Sequence, residues 1–317
     1  MYHIGIDLGG TNIAVGILDQ NKKIIFSAST PTNLPQQPEE LAKNIANFVH
    51  KILCDCGIAA HDIESAGIGI PGTVNPTNGI VEYANNLNFV QVPFISMLQK
   101  QFDFPLLGCN DAKAAAWGEY IAGAGQKASS MVMITLGTGI GGAAIVNGTL
   151  LDGFNYAAGE FGHMVIERNG KACNCGRKGC FELYASATAL IEQTKQQLQH
   201  NTQSLIYEIC AGNLDSITGK MIFDAVQAKD TLAISVLETF IGYLAEGTAN
   251  IINLFQPEVL CIGGGISGAG DALMIPLKEA VSPLIYSKDP DKNADIVAAQ
   301  LGNDAGIIGT AFYPITK

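Results

Sequence analysis

The hydrophobic pattern of the chain repeats one plan in each half. Segments 3–18 and 131–146 each carry an apolar strand, a Leu-Gly step, a polar and glycine-rich turn, and a second apolar strand. A shift of 128 residues superposes Leu8 on Leu136. One such hairpin in each half predicts two duplicated α/β domains, in which the turns supply backbone N–H groups.

The rest of the chain alternates between helical and strand periodicity. Apolar residues recur at helical spacing over 39–56 and stop at Gly57. Strands are predicted at 65–72, 105–111, 258–262 and 295–299, and helices from Asp111, over 181–256, from Asp271 and over 304–313. This order favours an α/β fold over a helical bundle.

The uncharged segment 129–151 is long enough to span a bilayer, but five glycines interrupt it. Its first part, MVMITLG, has the pattern of a short buried strand. We interpret the segment as strand, glycine turn and strand. The N-terminus enters the first strand without a basic region or a cleavage site, so we expect a cytoplasmic protein.

The composition argues against a nucleic-acid-binding protein. The formal net charge is −11, whereas a nucleic-acid binder needs a basic face. Any phosphate ligand must then be held by local backbone dipoles and a metal ion. Hydrophobic residues make up 48% of the chain and glycine contributes 36 positions, which agrees with an α/β protein rich in strands and turns.

A cluster of metal-binding residue types lies in segment 162–182. His163, Cys173, Cys175 and Cys180 have the spacing H-x9-C-x-C-x4-C, with glycines among them that permit tight turns. Three thiols and one imidazole predict a tetrahedral structural Zn²⁺ site, closed at all four positions. Free or disulfide-bonded thiols are the alternative, although three is an odd number. The other cysteines lie in apolar stretches and are expected to be small buried residues: Cys54, Cys56, Cys109, Cys210 and Cys261.

Three glycine-rich runs offer backbone groups to a ligand. Turns 9–12 and 137–142 could clamp a polyphosphate from opposite sides, since Thr11 and Thr138 add hydroxyl donors. One turn alone is equally compatible with an ordinary hairpin, so the pair is the stronger evidence. The run 263–265 could lie against a flat ring such as adenine, or form a simple strand-to-helix turn.

Carboxylates stand at three informative positions. Asp111 directly precedes an Ala-rich segment and is expected to be its N-cap. Together with Asn110 it also ends a strand, where open α/β sheets place ligand-binding residues. Glu160 and Glu182 flank the predicted zinc ligands; they are either solvated surface acids or acceptors for sugar hydroxyls that the zinc loop holds rigidly.

Together these motifs resemble the ROK family, within the actin and hexokinase superfamily of two-domain ATPases. The matching motifs run from end to end: IDLGGTN at 6–12, GIGIPG at 67–72, NDAKAAAWGE at 110–119, LGTGIGGAAIVNG at 136–148, AGEFGHM at 158–164 and CNCGRKGCFE at 173–182. The resemblance implies two actin-like (ribonuclease H-like) α/β domains with a cleft between them and a zinc-stabilised loop. It places a small domain at 1–110 plus 303–317 and a large domain at 111–302.

The functional residues of the family carry over onto matching positions. Asp111 resembles the catalytic base that takes the proton from a sugar hydroxyl. The implied sugar contacts are the backbone of Gly72 and the side chains of Asn110, Glu160, His163 and Glu182. The implied nucleotide contacts are Gly9, Gly10, Thr11, Asn12, Gly137, Thr138, Gly139 and Gly141 at the phosphates, and Gly263, Gly264 and Gly265 at the adenosine. Asp7, beside the first turn, is expected to hold Mg²⁺ through water.

The implied activity is ATP-dependent phosphorylation of the 6-hydroxyl of glucose, with Mg²⁺ and structural Zn²⁺, in a homodimer or homotetramer. Segment 182–188 looks more like the glucokinases of the family than its N-acetylhexosamine or fructose kinases, although Phe89 stands where Trp is more usual. Allose, mannose, N-acetylmannosamine, N-acetylglucosamine and fructose stay open as substrates. A sugar-responsive regulator of this family would carry an added helix-turn-helix, and a chaperone or filament ATPase would lack the zinc run.

Overall fold

The structure, a computed structural model, describes residues 1–313. The strands, in chain order, are β1 (Tyr2–Leu8), β2 (Asn12–Leu18), β3 (Ile24–Pro31), β4 (Ile63–Ile70), β5 (Thr73–Asn75), β6 (Ile80–Ala84), β7 (Phe89–Val92), β8 (Leu106–Asn110), β9 (Met131–Leu136), β10 (Ile140–Val146), β11 (Thr149–Leu150), β12 (Val259–Gly263) and β13 (Asp295–Ala298). The α-helices are α1 (Pro38–Cys56), α2 (Phe94–Gln99), α3 (Asp111–Ala122), α4 (Glu182–Ala185), α5 (Ala187–His200), α6 (Leu205–Ile209), α7 (Gly219–Gln227), α8 (Thr231–Phe255), α9 (Asp271–Val281) and α10 (Asp304–Ala311).

The chain forms two compact units. The first unit comprises Met1–Ala128, Ile145–Gly159 and Gln300–Lys317, and the second comprises Ser129–Ala144 and Glu160–Ala299. Residues 314–317, which belong to the predicted small domain, lie outside the described residues. A mixed α/β fold is therefore confirmed.

The first unit is built on a sheet with the strand order β3-β2-β1-β4-β8. β1 pairs with β2 in antiparallel orientation, which confirms the first predicted hairpin, and β2 pairs with β3 in the same way. β1, β4 and β8 are mutually parallel, with Asp7 opposite Gly69 and Gly69 opposite Cys109. The carboxyl ends of these three strands therefore share one edge of the sheet. A smaller sheet has the order β5-β6-β7.

The second five-stranded sheet has the order β11-β10-β9-β12-β13. β12 pairs in parallel with both β9 and β13, so the strands predicted near 258–262 and 295–299 lie side by side. Segment 129–151 contributes β9 and β10, the two predicted strands, and also a short third strand, β11, that the glycine pattern does not predict. No helix within residues 1–313 is long and apolar enough to cross a membrane.

Helix α1 forms where the helical spacing predicts it. Its buried face carries Leu41, Ile45, Val49 and Ile52, which join the core of the first unit. The helix ends at Gly57, whose φ of 67° is left-handed and therefore suits glycine. The N–H of Gly57 bonds to the carbonyl of Cys54, which satisfies one of the last carbonyls of the helix.

The compact units differ from the predicted domains at segments 111–128, 145–159 and 300–302. The reason is the packing of α3, which lies against α10 in the first unit. Gly309 of α10 comes so close to the carbonyl of Ala114 that a side chain there would overlap it. This backbone-to-backbone contact ties the start of the predicted large domain to the first unit.

Candidate active site

The carboxyl end of β8 and the first turn of α3 carry the predicted base. Asn110 retains the extended backbone of the strand, and its Oδ1 accepts a hydrogen bond from the N–H of Lys113 at 3.0 Å. Asn110 is therefore the N-cap of α3. The prediction that Asp111 caps this helix is wrong, because Asp111 already lies within the helix.

The Asn110 side chain also positions its neighbours. Its Nδ2 donates to the carbonyl of Gly72 at 3.0 Å and to Oδ1 of Asp111 at 3.1 Å. The N–H of Ala112 donates to the same Asp111 oxygen at 2.8 Å. The structure thus brings together Gly72, Asn110 and Asp111, and holds the Asp111 carboxylate in a fixed orientation.

A second carboxylate, Asp7, lies at the same edge of the sheet. Burial, and next the charge of Asp111, raise the pKa of Asp7 to about 6. Burial also raises the pKa of Asp111, against hydrogen bonds that favour its charged form. Two partly buried carboxylates, of which Asp111 disfavours the charge of Asp7, form a site that a divalent cation would stabilise, since Mg²⁺ prefers carboxylate and water ligands. The acids at this edge therefore fit Mg²⁺.

Thr32 fixes the first glycine turn through two hydrogen bonds. The Thr32 hydroxyl donates to the carbonyl of Gly9 at 2.8 Å, and the Thr32 N–H donates to the carbonyl of Thr11 at 2.8 Å. Thr32 is buried, whereas Gly10, Thr11 and Asn12 are exposed. The anchored carbonyls leave the turn's tip facing solvent. Thr32 carries no motif, and the sequence analysis missed it.

The second glycine turn is held in a similar way. The carbonyl of Gly137 accepts from the N–H of Ala187, at the start of α5, at 2.9 Å. Thr138 is exposed at the tip, and Gly141 lies within β10. Gly264 has a φ of 86°, and a side chain there would overlap the backbone of Leu136. The third glycine run therefore packs directly behind the second turn.

A cavity of about 630 Å³ opens in the second unit beside these turns. Its volume is typical of a small-molecule site. Gly137, Thr138 and Gly265 line it, whereas Gly263 is buried at the end of β12. The other lining residues are Leu136, Ala187, Gly219, Lys220, Phe223, Asp224, Gln227, Ile266, Gly268 and Ala269. Sequence analysis missed the wall formed by α7, because an amphipathic helix carries no signal for a ligand.

The four predicted zinc ligands come together in the second unit. One ligand atom from each of His163, Cys173, Cys175 and Cys180 lies within 4.8 Å of the others. The Sγ atoms of Cys175 and Cys180 are 3.6 Å apart, and Cys173 Sγ lies 3.8 Å from Nδ1 of His163. Tetrahedral Zn²⁺ with Zn–S bonds of about 2.3 Å requires sulfur atoms about 3.8 Å apart. The residues present therefore fit Zn²⁺.

Both predicted sugar acceptors of this unit lie beside His163. Oε1 of Glu182 is 3.5 Å from Nδ1 of His163, and Oε2 of Glu160 is 4.0 Å from its Nε2. The Glu182 side chain is 17% exposed and that of Glu160 is 55% exposed. Glu182 also touches the second glycine turn, since a side chain at Gly139 would overlap its Oε2.

The remaining cysteines are only partly as expected. Cys109, Cys210 and Cys261 are buried, but Cys54 is exposed and Cys56 is partly exposed. The prediction that all five are buried is wrong for these two. Cys54 is not among the buried residues of α1, and Cys56, the last residue of the helix, packs only partly against the core of the first unit. The surrounding segment is mostly apolar, so its sequence does not separate the exposed cysteine positions from the buried ones.

Comparison with known proteins places these motifs in one family. The model of the ROK family matches residues 3–316. A glucokinase from Halalkalibacterium halodurans is 36% identical over 310 residues, which cover 97% of this chain and 93% of that protein. The crystal structure of a ROK family glucokinase from Streptomyces griseus, in complex with glucose and AMPPNP, is similar with a TM-score of 0.84 and 32% identity over 98% of both chains. A xylose repressor from Bacillus spizizenii is 28% identical, and the match covers 97% of this chain but 75% of the repressor.

Proposed function

Because the chain belongs to the ROK family, we propose that it is an ATP-dependent hexokinase that phosphorylates the 6-hydroxyl of glucose. The observation that carries the proposal is the Asp111 carboxylate, which is oriented by Asn110 and Ala112 and has a raised pKa. A carboxylate held in one orientation, with increased basicity, suits general-base catalysis. The similarity to glucokinases over almost the whole chain supports glucose as the substrate.

Asp111 takes the proton from the sugar hydroxyl. The hydrogen bonds from Asn110 and Ala112 go to Oδ1, so we assign the incoming proton to Oδ2. As the proton leaves, the sugar oxygen forms a bond to the γ-phosphorus of ATP, and the bond from that phosphorus to the β,γ-bridging oxygen breaks. The products are ADP and glucose 6-phosphate.

The two glycine turns would hold the polyphosphate of ATP. Their exposed tips present backbone N–H groups and the hydroxyls of Thr11 and Thr138. The cavity of about 630 Å³ between the second turn, α7 and Gly265 would hold the adenosine. Asp7 would hold Mg²⁺, which neutralises the β- and γ-phosphates when it is bound.

The zinc cluster would act on sugar binding through its neighbours. Glu160 and Glu182 lie on either side of His163, and we assign all three to the sugar hydroxyls. His163 would also be a zinc ligand through Nδ1, the atom nearest Cys173. Zn²⁺ would therefore fix the ring of His163 and, through it, the two acceptors.

Asp7→Asn should stabilise the protein at neutral pH and reduce ATP turnover. The folded-state pKa of Asp7, about 6, lies above the ordinary value of 3.8, so stability falls as pH rises through this window. The substitution removes a cost of at most about 3 kcal/mol, since the pKa shift is about two units. Thermal unfolding without Mg²⁺ should give a higher Tm for the variant at about pH 7.5 and equal Tm values near pH 4. Equal Tm values at both pH values would show that the buried charge carries no cost.

Gly139→Ala should weaken glucose binding more than ATP binding. The added methyl group would overlap Oε2 of Glu182 and push this carboxylate away from His163. We expect the KM for glucose to rise about 10-fold, because a small displacement of a binding group has large effects. Steady-state assays of ADP release, with each substrate varied in turn, measure both KM values.

Thr138→Val is the matched control from the same turn. It removes a hydroxyl from the lining of the 630 Å³ cavity, and Glu182 does not belong to that lining. This variant should raise the KM for ATP and leave that for glucose nearly unchanged. The same KM pattern in both variants would contradict the separate roles of the two residues.

A sugar-responsive regulator has weaker support from the comparisons. The xylose repressor is 28% identical to this chain, whereas the glucokinase from Halalkalibacterium halodurans is 36% identical. Other hexoses are alternative candidate substrates, because one altered hydroxyl contact that leaves a partner unsatisfied changes binding by about 1–3 kcal/mol.

The experiment that tests the proposed function is a coupled assay of ADP release across a panel of sugars. The panel contains glucose, allose, mannose, fructose, N-acetylmannosamine and N-acetylglucosamine. We expect the highest kcat/KM with glucose. A higher value with another sugar would overturn the substrate, and release of ADP that no sugar stimulates would overturn the kinase activity itself.

A further inference from the structure

Lys113 is a buried lysine in the first turn of α3, with an exposure of only 3%. Its ammonium group donates to the carboxylate of Asp152 at 3.0 Å, to the carbonyl of Asp152 at 3.2 Å and to the carbonyl of Tyr156 at 3.0 Å. These three acceptors match the three N–H donors of a lysine. An unpaired charge would not be tolerated in a buried position, so these three hydrogen bonds are what allows the ammonium group to be buried there.

The acceptors of Lys113 all lie in one loop, residues 152–159. The loop closes on itself through a hydrogen bond from the N–H of Ala158 to the carbonyl of Asp152 at 3.1 Å. Tyr156 has a left-handed φ of 62°, which is unusual for a large side chain. Lys113 contacts both Asp152 and Tyr156, so it fixes the loop at two points while Phe154 between them is fully exposed.

Two tyrosine hydroxyls complete the attachment of the 152–159 loop. The Tyr313 hydroxyl lies 3.3 Å from Oδ1 of Asp152, and the Tyr156 hydroxyl lies 3.1 Å from Oγ1 of Thr77. The side chains around Lys113 thus link this loop to the first unit, to which it belongs.

The position of Lys113 in sequence connects this loop with the proposed chemistry. Lys113 follows Asp111 by two residues, and its N–H donates to the capping oxygen of Asn110 at 3.0 Å. At the other end, Glu160 comes directly after the 152–159 loop. One helical turn therefore carries the proposed base and anchors the loop that leads into a proposed sugar contact.

We propose that Lys113 is a positioning residue for sugar phosphorylation, which holds the 152–159 loop so that Glu160 meets the sugar. This inference rests on the proposed hexokinase activity. Lys113 has no contact with the reacting atoms in this account. Its contribution passes through the backbone from Tyr156 to Glu160, because Lys113 holds the loop at Asp152 and Tyr156.

The test uses a double-mutant cycle on kcat/KM for glucose. Lys113→Met should raise the KM for glucose about 10- to 100-fold, with the KM for ATP changed less than the KM for glucose. In a Glu160→Gln background, Lys113→Met should raise the KM for glucose little further, because both substitutions remove the same contact between Glu160 and the sugar. Additive losses in the double variant would overturn the proposal.

A second variant separates positioning from stability. Lys113→Met leaves Asp152 without its ammonium partner and is expected to lower the Tm. Adding Asp152→Asn removes the carboxylate charge that has lost its ammonium partner and should restore part of the Tm. The KM for glucose should nevertheless stay raised, because the loop carbonyls still lack the ammonium donor. Recovery of the KM together with the Tm would show that Lys113 is merely structural.

Lys195→Met is the matched control. Lys195 pairs with Asp215 at a distance of 3.0 Å, and neither residue belongs to the proposed site. This variant should leave both KM values unchanged. Absence of glucose-dependent ADP release from the unaltered protein would overturn the hexokinase proposal together with this inference. An active unaltered protein whose Lys113→Met variant keeps its KM for glucose would overturn this inference alone.

Discussion

Asp111→Asn should reduce kcat for glucose phosphorylation by about 10²- to 10⁴-fold, the range for loss of a general base. The substitution replaces the carboxylate by an amide of nearly the same shape, so the sugar hydroxyl loses its proton acceptor. Helix α3 keeps its start, because the cap is Asn110. The Tm should not fall, since burial already disfavours the charge of Asp111. Steady-state ADP release and thermal unfolding measure the two effects.

Asp304→Asn is the control for this variant. Asp304 is the first residue of α10, as Asp111 is of α3, and it lies in the same unit but is exposed. The control should keep nearly full kcat. If Asp111→Asn also kept nearly full kcat, Asp111 would serve only the start of the helix and another group would have to accept the proton.

Much of the site can be predicted from sequence because its parts are local. Both hairpins, the glycine turns and the zinc ligands lie in short segments where the spacing in sequence largely determines the geometry. The choice between Asn110 and Asp111 as the cap is harder, because both residue types cap well. The decisive factor is where β8 stops, and the boundary of an element is the least certain part of a sequence prediction.

The parts that escape prediction depend on contacts between distant segments. Lys113 and Asp152 are 39 positions apart, and each looks like an ordinary surface charge until the fold pairs them. Thr32 reaches the first glycine turn from β3's end, 23 positions from Gly9. The α7 wall of the cavity is also distant in sequence from the glycine turns. Neither periodicity nor motif spacing contains this information.

Cys175→Ser should remove the bound zinc and weaken glucose binding, while ATP binding remains. A hydroxyl is a poor zinc ligand in place of a thiolate, so the content should fall from one Zn²⁺ per chain to nearly none. His163 then loses its metal, and the acceptors Glu182 and Glu160 beside it lose their fixed partner. Loss of such support costs about 10- to 100-fold in affinity. Elemental analysis measures the zinc content, and titration calorimetry measures the affinities for glucose and for ATP.

The lining of the 630 Å³ cavity contains none of the four zinc ligands, so it should survive the loss of the metal. Cys54→Ser is the control, because Cys54 is an exposed thiol outside the cluster. It should keep both the zinc and the affinity for glucose. A zinc-free Cys175→Ser protein that phosphorylated glucose normally would contradict the proposed role of zinc in sugar binding.

The central claim is that this protein transfers the γ-phosphoryl group of ATP to the 6-hydroxyl of glucose. The most direct measurement follows ADP and glucose 6-phosphate in the same reaction, with glucose 6-phosphate detected by its specific dehydrogenase. We expect equal amounts of the two products from the unaltered protein and almost none from Asp111→Asn. ADP formed without glucose 6-phosphate, or equal rates from both proteins, would contradict the central claim.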